Sequence, residues 1–357
     1  MEALVDIYTD YLLCSSSLAT STGLSALLNQ QISHDKFTRM LSNNNFNSPY
    51  LWERVKPLFK GQSKKEGLII LSVDDSIEEK YYTDESDLIC WHYDHVFNRN
   101  VKGVNFMTAM VSVEEANLPC AVEFIKKDLL VKDEKTGKEK RKSSKTKNEL
   151  FVEMVGQCRK NFRFDYVVAD SWYSSATNME HIKDELKSDF VIALKSNRNV
   201  ALGKQDKEER KYVGIESLQL GQQTVEIWLE GLDFPLLLAK QVFKNGDGTV
   251  GELYLACSDS NLSYEQITTI YKKRWGVEVY HKSTKSNASF AKSPTKTMKT
   301  QMNHFMLSII AYVKLEGLKL ANNMNHFAMK ARIYQAALKA AYQELKTMKK
   351  INSPICA

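Results

Sequence analysis

The alternation of apolar and polar positions divides the chain into a helical start, a strand-rich middle and a helical end. Leu18–Leu28 and Ile32–Leu41 are short amphipathic segments joined around Asn29-Gln30-Gln31, which fits a helix-turn-helix-like unit. Ser33 can N-cap the second segment, leaving His34, Lys36 and Arg39 to face outward. The same pattern also fits a plain helical cap on the next domain. After the polar link Gly61–Gly67, the run Leu68–Val73 reads as a buried strand that ends at Asp74-Asp75-Ser76. Strands are expected at Val101–Val113 and Pro119–Ile125, a helix at Asn148–Asn161, and a short strand after Phe164 that ends at Asp170. A helix at Ser175–Leu186 and a strand at Asp189–Leu194 follow.

From residue 197 to 258 the pattern is again strand-like, as in Thr224–Leu229, Phe234–Val242 and Glu252–Cys257, with Asn245-Gly-Asp-Gly as a turn signal. A capping box of Ser263 and Gln266 then opens a helix, followed by Ile267 and Ile270. Residues from about Thr297 onward are helically patterned, and the apolar stripe around Met306 suits core packing or a dimer face.

The stripe that begins at Ile267 changes character along the helix. Tyr271, Arg274, Glu278 and Lys285 stand at offsets of 3, 7 and 14 from the first. At about 100° per residue these offsets fall within an arc of roughly 60°. An inward face that turns from apolar to charged costs several kcal/mol unless the charges meet partners, metal or ligand. A structural ion-pair network satisfies that requirement, and so does a catalytic site.

The spacing Y-x2-R-x3-E-x6-K resembles the signature of the insertion-sequence-4 family of DDE transposases, matched at all four positions. The resemblance extends over about residues 15 to 345. It implies that Glu278 is the third metal-binding carboxylate and that Tyr271, Arg274 and Lys285 handle DNA. It further implies two upstream aspartates. Asp74 and Asp75 sit on opposite faces of a strand, so one of them serves, and position alone leaves the choice open; the family's first block points to Asp74. Its second block, a strand followed by D-[SG]-x-[YF], matches Asp170-Ser-Trp-Tyr173. The expected site is therefore Asp74, Asp170 and Glu278, holding two Mg2+ ions with Mn2+ as a substitute. Trp172 and Trp275 each neighbour a site residue and could hold an unstacked base, as some family members do, or be ordinary core residues.

The fold class implied is α/β, a ribonuclease-H-like core with a mixed sheet flanked by helices. The expected boundaries are a helical DNA-binding domain at 1–62, core segments at 63–196 and 259–295, a β-rich insertion at 197–258, and a helical C-terminal region at 296–357. Periodicity and resemblance agree on the insertion, which separates Asp170 from Glu278 by 108 positions.

Composition adds limits. The chain has 357 residues, 43% of them hydrophobic, which is ordinary for a globular protein. Its net charge of +6 permits nucleic-acid binding without requiring it. Residues 126–147 hold ten Lys and Arg against four acids, a local balance that alone equals the net charge. Such a run is either a solvated loop or a phosphate-contacting surface. Six scattered cysteines without a CxxC pair read as reduced thiols. His92, Asp94 and His95 lack the distal partners of a zinc site and suit a structural or DNA-facing turn. His304 is expected to be structural. No run approaches a membrane span and no signal layout opens the chain, so a cytoplasmic protein, nucleoid-associated when on DNA, is expected.

The functional expectation is cut-and-paste transposition: Mg2+-dependent cleavage at element ends, then strand transfer into target DNA, by a homodimer that synapses two ends. A metal-dependent nuclease of the same fold and a repurposed non-catalytic DNA-binding protein are the alternatives.

Overall fold

The computed structural model describes residues 1–94, 98–132, 134, 137–244, 246 and 248–351. It separates into two compact units, one of residues 47–280 and one of residues 1–46 with 281–357.

The first unit is built on a mixed sheet. Its strands are β1 (Ile70–Glu79), β2 (Cys90–Asp94), β3 (Arg99–Val113), β4 (Ala116–Ile125), the hairpin β5 (Leu129–Lys132) and β6 (Glu139–Lys142), β7 (Tyr166–Ala169), β8 (Asp189–Leu194), the short pair β9 (Asn199–Val200) and β10 (Val213–Gly214), then β11 (Thr224–Ile227), β12 (Leu236–Lys244) and β13 (Val250–Cys257). The main sheet runs β11-β12-β13-β8-β7-β1-β3-β2, with β4 on β3. Its centre, β1-β7-β8, is parallel and the rest antiparallel. Central parallel strands are covered on both faces, and accordingly Leu71, Val73, Val167, Val168, Val191 and Ile192 are all fully buried. This is the ribonuclease-H-like α/β architecture, with helices flanking a mixed sheet.

Two expectations change in detail. The strand-rich insertion does not stand apart: β13 pairs with β8 and carries β12 and β11 outward, so it extends the central sheet. Pairing there satisfies an edge of hydrogen-bonding groups that β8 would otherwise leave open. Second, the strand carrying Asp74 does not end there. β1 continues to Glu79 because β3 goes on pairing with it as far as Gly103. What does end at Val73 is the parallel pairing with β7.

The two faces of the sheet are packed by different helices. Ile70, Tyr166, Val168, Val191, Ala193 and Leu255 form one core cluster with Ile267, Ile270 and Tyr271 of helix Tyr264–Lys272. On the other face lies helix Lys147–Asn161, with Phe151 stacked on Tyr173 at 4.9 Å and Cys158 Sγ 3.6 Å from Cys120 Sγ. Helix Ser48–Gln62 belongs to this unit too; Ser48 exchanges hydrogen bonds with the Val122 backbone, and Trp52 stacks on Phe162.

The second unit is helical: Glu2–Cys14, Ser21–Leu27, His34–Asn43, Met298–Asn322 and His326–Ile351, with the end of Trp275–Asn287. Thr20 and Ser33 cap the second and third helices, and Asn29 and Gln30 turn the chain between them at positive φ. In the third helix Phe37, Met40 and Leu41 are buried while His34, Lys36 and Arg39 are exposed. His304 is structural: fully buried, its Nδ1 bonds the Tyr8 hydroxyl at 2.8 Å and its Nε2 meets the Ser289 carbonyl at 2.9 Å. Asn303 spans three backbone groups, donating to the Leu41 and Asn44 carbonyls and accepting from the Phe46 N–H.

One glycine is demanded by the sheet. A Cβ on Gly103 would lie 2.2 Å from the carbonyl oxygen of Glu78 on the adjoining strand, a backbone atom that cannot step aside. Gly103→Ala should therefore cost about 1–3 kcal/mol of stability, read as a lower urea midpoint.

Candidate active site

The sheet register brings the first two acids together. Val73 and Ala169 are the last residues paired between the parallel strands β1 and β7, so Asp74 and Asp170 come next, side by side. Adjacent strands lie roughly 4.8 Å apart. Side chains alternate along a strand, so Asp74 and Asp170 share the face of Ile70, Tyr166 and Val168, the face packed by helix Tyr264–Lys272. Asp75 points the other way. Its carboxylate accepts from Lys147 Nζ at 2.7 Å and the Tyr173 hydroxyl at 2.9 Å, and both of its oxygens are engaged there. Geometry thus separates two residues that position in the sequence left equivalent.

The third acid arrives on a helix that is broken, not continuous as the periodicity suggests. Helix Tyr264–Lys272 begins with the capping box of Ser263 and Gln266, and a second helix, Trp275–Asn287, follows. Between them the N–H groups of Lys273, Arg274, Gly276 and Val277 each bond three residues back instead of four. This overwound turn shifts Arg274 and Glu278 relative to Tyr271. Gly276 makes the approach possible, since a Cβ there would lie 2.6 Å from Asn117 Oδ1.

Arg274 is where the charges meet. Its Nη1 lies 3.2 Å from Asp74 Oδ2, and its Nη2 donates to Glu278 Oε1. Burial works against its charge, but Tyr271, Asp74, Glu278 and Asp170 together raise its pKa above the ordinary value. Burial pushes Asp74 up to about 7, with Arg274 opposing and the charges of Asp170 and Asp75 adding. Burial also raises Asp170, against the Trp172 N–H and Arg274, and the charge of Asp75 adds to the rise. Two buried carboxylates in adjacent positions repel, and a cation among them relieves the repulsion.

Hard carboxylate oxygens are the donors that Mg2+ takes, and Asp74 and Glu278 both pair with one cation, the guanidinium, with Asp170 next to Asp74. That guanidinium bridges Asp74 and Glu278; among the described residues no three His, Cys, Asp or Glu side chains close on one point for a metal ion.

A groove leads away from Asp170. One cavity of about 650 Å3 is lined by Asp170, Lys195, Asn197, Tyr254, Tyr271 and Arg274. It shares Ser171, Lys195 and Asn197 with a second of about 560 Å3, lined also by Trp172, Arg198, Tyr212 and Glu230. Trp172 is 44% exposed, and the ammonium groups of Lys147 and Lys195 lie 5.3 and 5.6 Å from its ring centre. Asp170 accepts from the Trp172 N–H at 2.9 Å, which fixes the turn that presents the indole.

The remaining expected residues are placed differently. Tyr271 is largely core: 8% exposed and pushed up to about 12 by burial, it lies under Arg274 with the guanidinium 5.8 Å from its ring. Trp275 is 63% exposed, on the surface and not in the core. Lys285 is half-buried two turns beyond Glu278 on the same helix. His92 is buried beside Cys90 Sγ, and burial with the nearby Lys127 and Lys147 lowers it to about 4, which suits a neutral structural ring; His95 lies outside the described residues. Within the basic run, Lys127 donates to the Trp91 carbonyl, Arg141 pairs with Asp87, Lys145 with Glu153 and Lys147 with Asp75. Lys132, Lys138, Lys140 and Lys142 on or beside the β5–β6 hairpin are exposed. Lys195, Arg198 and Tyr212 escaped the sequence reading; the one available signal was that Lys195 follows a buried strand, as Asp170 does.

Two family models match the chain. The model described as DDE superfamily endonuclease covers residues 1–214, and the one described as transposase DDE domain covers residues 138–314. The first spans more than half of the protein and includes Asp74 and Asp170; the second includes Asp170 and Glu278. This protein belongs to the DDE superfamily of endonucleases and transposases. No curated protein matches it. Among solved structures it is similar to one titled "Crystal structure of Kluyveromyces polysporus Argonaute with a guide RNA", at 11% identity over 72% of this chain and 34% of that chain, with a TM-score of 0.24. The chain thus spans about a third of that protein, and so distant a likeness carries no argument here. Among the described residues no helix is long and apolar enough to cross a membrane.

Adjacent residues of this DDE protein should respond oppositely to substitution. An acid whose pKa is raised on folding binds more protons folded than unfolded, so its contribution to stability falls as pH rises from about 3.8 to about 7. Asp74→Asn removes that penalty and should raise Tm by ~2–4 °C at about pH 8 without divalent metal, and change little at about pH 4. Asp75→Ala strands Lys147 and the Tyr173 hydroxyl and should cost about 2 kcal/mol under the same conditions. Differential scanning calorimetry at both pH values checks the pair.

Proposed function

We propose that the protein is a transposase resembling the insertion-sequence-4 family, cleaving DNA at element ends and joining those ends to target DNA. The observation that carries this reading is Arg274 pairing with both Asp74 and Glu278, with Asp170 next to Asp74 across the β1–β7 register, in a protein of the DDE superfamily. Asp74, Asp170 and Glu278 would hold divalent metal, Mg2+ with Mn2+ as a substitute. Bound there, the metal supplies charge stabilisation at the phosphoryl group and an activated water or 3′-hydroxyl.

The protein's own groups would then do the positioning. Arg274, which pairs with Asp74 and Glu278, would offer its planar fork to a phosphate. Tyr271 supports it from below. Lys195 and Arg198 line the groove with positive charge for a strand leaving the site, and Lys285 adds a point charge on the same helix as Glu278. Trp172 and Trp275 present exposed rings on which an unstacked base can stack. The helix of Lys36 and Arg39 and the lysines of the β5–β6 hairpin serve as phosphate-contacting surfaces. The enzyme would act as a homodimer, in the cytoplasm on nucleoid DNA.

The test is cleavage of a DNA fragment bearing the element's own ends, in Mg2+, by wild type and Glu278→Gln. Wild type should cut at the element boundary and join the ends to a plasmid target. The variant should lose at least 100-fold in rate while still binding the fragment. Cleavage without joining would make it a nuclease, and binding without cleavage by either protein would make it a DNA-binding protein.

A further inference from the structure

A second aromatic surface lies away from the acids, on β2, where the main sheet ends beside β3. The side chains of this strand alternate: Cys90 and His92 are buried, while Trp91 and Tyr93 are each 49% exposed. Cys90 Sγ meets His92 Nε2 at 3.4 Å on the inner side, and Lys127 Nζ donates to the Trp91 carbonyl. The strand is thereby held with both rings turned to solvent. The turn that precedes it adds Tyr81 and Tyr82, which are also exposed. Large aromatic rings gathered in water mark a binding surface more often than a bare one.

The charges beside the rings identify the occupant. Partners in an antiparallel pair share a face, so Trp91 lies beside Lys102 and Tyr93 beside Asn100. Lys80 follows on the same face of β1, its N–H bonded to the Lys102 carbonyl. Glu78 on that face is buried. Glu79 falls on the opposite face and pairs with Arg99, while Glu85 and Asp87 of the intervening turn pair with Arg141. Asp94 falls on the side of Cys90 and His92. Beside the rings, β1 and β3 therefore bring Lys80 and Lys102 to the surface.

Aromatic rings set among ammonium groups suit a strand that offers bases to stack and phosphates to pair. Trp91 and Tyr93 stand roughly 6.8 Å apart along β2, two steps of the about 3.4 Å rise of one nucleic-acid strand. In a duplex the base faces already cover one another, so only unpaired bases can lie on these rings. The face is also that of Asp74. Asp74 pairs with Thr108, six residues along β3 from Lys102 and so about 20 Å away.

We infer that β2 carries a binding site for single-stranded DNA, with Trp91 and Tyr93 stacking unpaired bases and Lys80 and Lys102 meeting the phosphates. The inference rests on the reading that the protein acts on DNA, and on no step of cleavage or joining.

The probe is a fluorescent oligothymidine of about 20 nucleotides, titrated by anisotropy against the full-length protein without divalent metal. Trp91→Ala and Tyr93→Ala should each weaken binding roughly 5-fold or more, while Trp91→Phe should keep most of it. Lys102→Ala should weaken it too, and lower the slope of log affinity against log salt by about 0.7. Both ring-to-Ala variants should keep the wild-type thermal transition and the wild-type affinity for a duplex bearing the element's ends. Oligothymidine binding that survives the loss of both rings would overturn the inference, as would an equal loss of duplex binding. Wild type that binds the duplex and ignores oligothymidine would overturn it and leave the transposase reading standing. Failure of that reading shows separately, as absence of cleavage by a protein that still loses oligothymidine with Trp91.

Discussion

Two buried carboxylates on neighbouring parallel strands cannot both carry charge without a cation between them, and the functional half of the molecule is arranged around that constraint. Asp74 and Asp170 are placed next to each other by a register that the apolar residues of β1 and β7 enforce. The cation at their junction is the guanidinium of Arg274, which reaches Asp74 and Glu278 at once. To be there it must leave the regular helical path, and the overwound turn at Lys273–Gly276 lets it do so. A side chain at position 276 would push Asn117 aside, since a Cβ there would lie 2.6 Å from its Oδ1.

The same arrangement is the basis of the metal-dependent reaction proposed above. A guanidinium is a single charge on a long stem, so it satisfies the acids without binding them as strongly as divalent ions would. The groove beyond Asp170 continues this logic: Lys195 and Arg198 line it, and Trp172 offers an aromatic face held by the Asp170 turn. Behind the strand, Lys147, Tyr173 and Asp75 form a second polar group. Its work is to hold β1 and the 171–173 turn in place.

Much of this was legible beforehand, for identifiable reasons. Buried strands at the sheet centre are apolar on both faces, so Leu68–Val73 and Tyr166–Ala169 declared themselves, with an acid after each. The capping box of Ser263 and Gln266 marked a helix start within a residue. Four polar residues at fixed gaps in one segment carried the family resemblance. The break in that segment was invisible, because a turn bonded three residues back uses the same helix-forming residues as one bonded four back. Exposure of Trp275 was equally hidden, since it depends on what lies opposite the ring.

The sequence alone determined which segments become strands or helices and which of them end in chemistry, since local periodicity and capping act over a few residues. It could not decide between Asp74 and Asp75, because neighbours on a strand differ only in the face they present, and a face has meaning only once something packs against it. The tertiary structure tells the two faces apart by laying helix Tyr264–Lys272 on one side and Lys147 with Tyr173 on the other. It likewise decided that the 197–258 segment extends the central sheet, because only the folded molecule leaves the edge of β8 for β13 to complete.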